Sequence, residues 1–245
     1  MQVLRATGQF EEEISLAEET FAVINSHPEA MPEERLMANV KDDLGEIYDL
    51  LGRTQEAVSV MKEAGLIFAN LLESDSENEN YMRSYVINQV RTAKVLALKV
   101  GNTAEARQNL DETEKIVTKL RQMMPNSLKV RDIAMEYFIT RAQVEIADNE
   151  METAKENWSM VIGNLYNGIT KNQRAVDIPL FVNFLVRLFR TAIDTEHLEL
   201  ANEFVSVEIQ AKKEFMDLRL ITLENADMDS TMDRYDLVEN LKNNN

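Results

Sequence analysis

At 245 residues, with 44% hydrophobic residues but only seven glycines and four prolines, the chain is too apolar to be disordered and too poor in turn formers for a sheet protein, so an all-α fold is expected. A formal net charge of −17 argues against nucleic-acid binding, because a polyanion is repelled over most of the surface. The lack of cysteine excludes disulfides, thiolate metal sites and cysteine nucleophiles.

In chain order the elements read as helices joined by short turns. "MQVLRATGQFEEE" lacks the apolar core of a signal peptide, and no apolar run approaches the ~18–20 residues that span a bilayer, so no membrane insertion is expected in this segment. Gly8 opens a helix from about residue 9, with Phe10, Ile14, Ala17, Phe21 and Ile24 on one face. A partner helix follows Pro32 over "PEERLMANVKDDLGEIYDLL". Gly52 then leads into a helix from about residue 53, striped by Ala57, Met61, Ala64, Phe68 and Leu71.

After the polar "ESDSENEN" comes "ENYMRSYVINQVRTAKVLALKV", then Gly101 and a helix from about residue 102 carrying Ala106, Leu110, Thr113, Val117, Leu120 and Met124. "SLKVRDIAMEYFITRAQVEIA" follows Pro125, and Asn149 precedes a helix from about residue 150 with Ala154, Trp158, Val161 and Leu165. "PLFVNFLVRLFRTAI" starts at Pro179, with Asp177 as a candidate cap, and a last long helix begins near residue 196, ahead of Ala201. Asn102 with Glu105, and Asn149 with Glu152, have capping-box spacing. Residues 225–245 form an acidic tail or short helix, with Leu237, Val238 and Leu241 docking weakly.

The starts at residues 8, 52, 101, 149 and 196 recur every 44–49 residues. One pair of such helices, each ~20 residues and ~30 Å long, cannot bury both of its faces, whereas stacked pairs can. The pattern predicts four to five antiparallel pairs with unusually long helices over residues 1–224, stacked as a solenoid with a convex and a concave face. Glu208 falls where an apolar residue belongs, so the last pair reads as a cap with a wetter outer face.

Catalytic and metal-binding readings find little support. His27 and His197 are far apart, each in or beside a turn, and no glycine-rich phosphate loop or G-x-S-x-G is present. "DMDSTMDRYDLVE" hints at a calcium loop, but Met232 stands where the turn glycine belongs and Val238 where the bidentate Glu belongs. The expectation is a protein without catalysis, cofactor or metal. Charge divides into acidic ends and a basic middle, which could steer a charged partner or let copies associate end to middle.

Leu44, Gly45, Tyr48, Ala57 and Ala64, with Gly52 at the turn and Met61 at a usually aromatic site, resemble the tetratricopeptide repeat motif. The match is good over Asn39–Ala64 and fair over Tyr81–Leu120, and it weakens beyond about residue 175. The period departs from the usual 34 residues, and Lys94 and Phe189 stand where Gly45 supplies a small residue. The lengthened period is similar to repeat arrays attached to bacterial serine/threonine kinases and other signalling proteins.

The resemblance implies a right-handed α-α superhelix and a non-catalytic scaffold that binds a peptide or protein segment. It also implies a place in the C-terminal part of a larger, cytoplasmic signalling protein, or outside the cytoplasm if a membrane helix precedes it. The alternatives are a self-associating structural module and the sensor region of a transcription regulator. The concave face is implied to carry Asn39, Asp42, Glu46 and Asp49, then Asn88, Arg91, Val95 and Lys99. Glu136, Ile139, Gln143 and Ile146 would follow, and finally Asn183, Val186, Arg187 and Arg190. That groove would be acidic at one end and basic further along, and Asp42 and Glu46 would repel the acidic chaperone tails that one subclass of the family clamps.

Overall fold

A computed structural model of the chain describes residues 10–26, 34–222 and 224–243. Every regular element among them is helical, and none of these helices is long and apolar enough to cross a membrane. Gly8, His27, Pro32 and the side chains of Phe10, Phe21 and Ile24 lie outside the described residues.

The helices are α1 (Phe10–Ser26), α2 (Glu34–Leu50), α3 (Thr54–Ser74), α4 (Glu79–Val95), α5 (Thr103–Met123), α6 (Leu128–Ala147), α7 (Met151–Asn172), α8 (Ile178–Asp194), α9 (Leu198–Asp217) and α10 (Met228–Asn243). A π-helical turn, Leu96–Val100, extends α4. The chain falls into two compact units, residues 1–137 and 138–245, so that α6 contributes its first half to one and its second half to the other.

The four turns expected at residues 52, 101, 149 and 196 share one backbone solution. Gly52, Gly101, Asn149 and Glu196 all have left-handed φ, between 62° and 77°. In three of the turns the next N–H donates to a carbonyl five residues back: Arg53 to Tyr48, Glu150 to Glu145 and His197 to Ala192, each at 2.8 Å. That bond closes a helix end, and glycine takes the left-handed position without a Cβ penalty. At the remaining turn the Asn102 N–H reaches back six residues to Leu96, because the π turn holds one extra residue.

Capping differs from the expectation at three points. Asn149 is the left-handed residue that ends α6, so it does not cap α7. The Asn102 side-chain oxygen Oδ1 does accept from the Glu105 N–H, but the Glu105 carboxylate accepts from the Asn102 side-chain amide rather than from its backbone N–H. Asp177 makes no cap bond, and its buried carboxylate pairs with Arg174 at 2.9 Å.

In the first unit, α1 packs on α2 through Ile14, Ala17, Val40, Leu44 and Ile47. Helices α2 and α3 run antiparallel, since Ala38 meets Phe68 and Leu71 at one end while Gly45 faces Met61 nearer the turn. A Cβ on Gly45 would lie 2.5 Å from Met61 Cγ, so glycine sets how closely these helices approach. The α3 stripe from Ala57 to Leu71 is buried, as is the α5 stripe from Ala106 to Leu120, with Met124 only half-buried. Tyr137 on α6 is buried and donates to the Leu110 carbonyl of α5 at 3.1 Å.

In the second unit, Ala154, Trp158, Val161 and Leu165 of α7 are buried. Trp158 meets Phe204 edge-on at 5.1 Å, and Tyr166, Phe181 and Phe215 form a second aromatic group. The C-terminal residues fold as α10, which buries Thr231 and Val238 against α9 while Leu237 stays exposed. Glu208 is accordingly not on a wet outer face. It is 1% exposed and accepts from Arg234 at 2.6 Å, Thr231 at 2.8 Å and Lys212 at 2.9 Å. The calcium reading of Asp227–Glu239 gives way to this helix, in which the Asp227 carbonyl accepts from Lys212 and Thr231.

Candidate functional site: a groove on the first unit

Within the first unit a groove of about 360 Å³ runs over α4, walled by α2 and α6. Ile87 and Ile133 supply its apolar surface above buried Val86 and Val90, and Glu46, Arg91, Lys94, Asp132 and Glu136 its charged rim. These three helices are the first members of successive pairs. The i, i+4 rhythm explains the lining: Val86 with Val90, Ile87 with Arg91, and Asp132 with Glu136 each share one helix face.

The π turn decides which residues of α4 reach the groove. Counting back from Ala106, as from Ala57 to Gly45, puts Lys94 in the small-residue position. The extra residue in Leu96–Val100 shifts that register by one, and buried Ala93 takes the place of Gly45. Lys94 is thereby released to the groove. Phe189, the corresponding residue of α8, is buried in the second unit.

Acid and base are interleaved rather than segregated along the groove. Arg91 donates to Asp42 at 2.6 Å and to Asp43 at 3.5 Å, and its other terminal nitrogen lies 3.2 Å from Glu46. Asn88 donates to Asp42 at 2.7 Å and to the Met61 carbonyl at 2.9 Å. It fits there because residue 65 is glycine: a Cβ at Gly65 would come within 2.7 Å of Asn88 Oδ1. Burial pushes the Asp42 carboxyl above its ordinary value, while Arg91 and Asn88 pull it down. Burial also works against the Arg91 charge, but Asp42, Glu46 and Asp43 outweigh it and raise its pKa.

Of the residues expected on a concave face, the groove gathers Glu46, Arg91 and Glu136. Asp42, Asn88, Val95 and Gln143 are buried, as are Ile139 and Ile146, so they hold helices together and offer no surface to a partner. Asp49 is half-buried near the end of α2, and Lys99 is exposed on the π turn; neither lines the groove. In the second unit Asn183 and Arg190 are exposed. Arg187 donates to Gln143 at 2.8 Å, and Gln143 donates to Thr191 at 2.8 Å. Both units thus use polar side chains to tie one first helix to the next.

The sequence reading missed Val86, Ile87, Val90, Lys94, Asp132 and Ile133. The signal for those on α4 lay in its own buried series, Met82, Val86, Val90 and Ala93, which fixes its register without reference to α5. Among the described residues no group of His, Asp and Glu is arranged to hold a metal ion. No family model, curated protein or solved structure matches the chain.

Proposed function

We propose that this chain is a non-catalytic interaction scaffold of lengthened tetratricopeptide-like repeats, stacked as a solenoid within each unit, and that the groove of the first unit receives a segment of a partner protein. The groove carries this reading: α4 and α6 present apolar side chains in a concavity rimmed by charge from α2, α4 and α6, with Ile87 37% exposed on it. The stacking is supported by polar contacts that fall about one repeat apart in sequence. Asp42 meets Arg91, Gln143 meets Thr191, and Tyr166 donates to Glu214. Contacts to the next repeat are what a quasi-one-dimensional array produces.

Selection of a random-peptide display library on the full chain tests the proposal. Enriched peptides should lose binding when Ile87→Gln or Ile133→Gln is introduced. Enrichment that ignores both substitutions would remove the groove from the reading.

A further inference from the structure

We infer that the groove selects a basic segment with aliphatic anchors, one in which Lys or Arg alternates with residues such as Leu. This rests on the reading of the groove as a partner site and adds the chemistry of the partner. Two walls carry the argument. Glu46 stands on α2, and Asp132 and Glu136 stand one helical turn apart on α6.

The bases are fewer, and acid and base at the groove engage one another. Arg91 is held by Asp42, Asp43 and Glu46, and Arg131 binds its neighbour Asp132 at 2.6 Å. Among the residues that line the groove, three carboxylates, Glu46, Asp132 and Glu136, face two bases, Arg91 and Lys94. A partner carboxylate brought between these walls would lose water to face like charge, whereas an ammonium or guanidinium would gain partners. Ile87 and Ile133, on α4 and α6, give aliphatic side chains a surface to cover.

The test uses the full chain and three fluorescein-labelled peptides with identical leucine positions, separated by Lys, Gln or Glu. Fluorescence anisotropy should show binding of the Leu/Lys peptide alone, weakening as salt is raised. Asp132→Asn with Glu136→Gln should loosen it about five- to tenfold, since each rim charge contributes modestly. Ile87→Gln should loosen it about tenfold or more.

Asp229→Asn with Asp233→Asn, on exposed positions of α10, removes the same charge elsewhere and should leave the Kd unchanged. If that control weakens binding as much as the groove pair does, the attraction is general and the inference falls. If the Gln or Glu peptide binds as tightly, with Ile87→Gln still disruptive, charge selection is overturned and the groove stands as a partner site. If no peptide binds, or Ile87→Gln changes nothing, both readings fall. A dimer in sedimentation that Ile87→Gln dissociates would put a second copy in the groove and also overturn the inference.

Discussion

Asn88 and Asp42, 46 residues apart, meet through a 2.7 Å hydrogen bond in which the buried amide donates to the buried carboxylate. The bond joins α2 to α4, and Arg91 completes it from one turn further along α4. Arg91→Gln removes the charge that opposes the burial of Asp42. The loss should be about 1–3 kcal/mol near neutral pH, below the figure for a fully buried pair because Arg91 keeps some exposure.

The pH dependence follows from the raised pKa of Asp42. Stability tied to this group is complete below its unfolded value, near 3.8, and is lost as pH rises through the higher folded value. Without Arg91 the folded value climbs further, so the urea midpoints of parent and variant should converge toward acid and separate toward neutrality. A gap independent of pH would contradict the assignment.

Gly45 and Gly163 make a matched pair. Gly45→Ala forces a Cβ to within 2.5 Å of Met61 Cγ and 3.2 Å of the Ala57 carbonyl, and should cost about 1–3 kcal/mol despite alanine's better helix propensity. Gly163, inside α7, has open space around a built Cβ, and Gly163→Ala should gain about 0.5–1 kcal/mol. Thermal melts of the two variants should move in opposite directions.

The Glu208, Lys212, Arg234 and Thr231 cluster fastens α10 to α9. Glu208→Ala leaves Lys212, 3% exposed, without its carboxylate and should cost about 3–5 kcal/mol. Replacing Glu208, Lys212 and Arg234 together with Met, Met and Leu should recover much of that loss, because no buried charge is left alone. Chemical unfolding compares the two, and a triple variant weaker than the single one would show that the cluster contributes net stability.

Tyr166 donates to Glu214 across α7 and α9, and this hydrogen bond, with burial and the carboxylate charge, pushes its pKa up to about 12. Stability from this group is whole below about pH 10, the ordinary tyrosine value, and is lost as pH climbs toward 12. Glu214→Gln should bring one tyrosine back toward the ordinary range in a tyrosinate absorbance titration. An unchanged titration curve would remove the Tyr166–Glu214 bond.

What could be read from the sequence was local. The turns at Gly52, Gly101, Asn149 and Glu196 and the stripes that follow them depend on neighbours within a few residues, and α3, α5, α7 and α9 begin within two residues of the expected starts. The groove was legible only in part, because its positions were counted through a turn that carries one more residue than an α-helix would. That residue moved Ala93 to the core and Lys94 to the groove. The pairing of Asp42 with Arg91, and the cover that α10 lays over Glu208, join residues 49 and 26 apart, and no local pattern encodes them.

Backbone amide shifts of the isotope-labelled chain, followed while the Leu/Lys peptide is added, would map the contact surface directly. Changes confined to residues 46, 86–94 and 132–136 and their immediate neighbours, with 228–243 unmoved, are expected of a groove that captures a basic segment. Changes centred on α10, or spread evenly over the acidic surface, would contradict it.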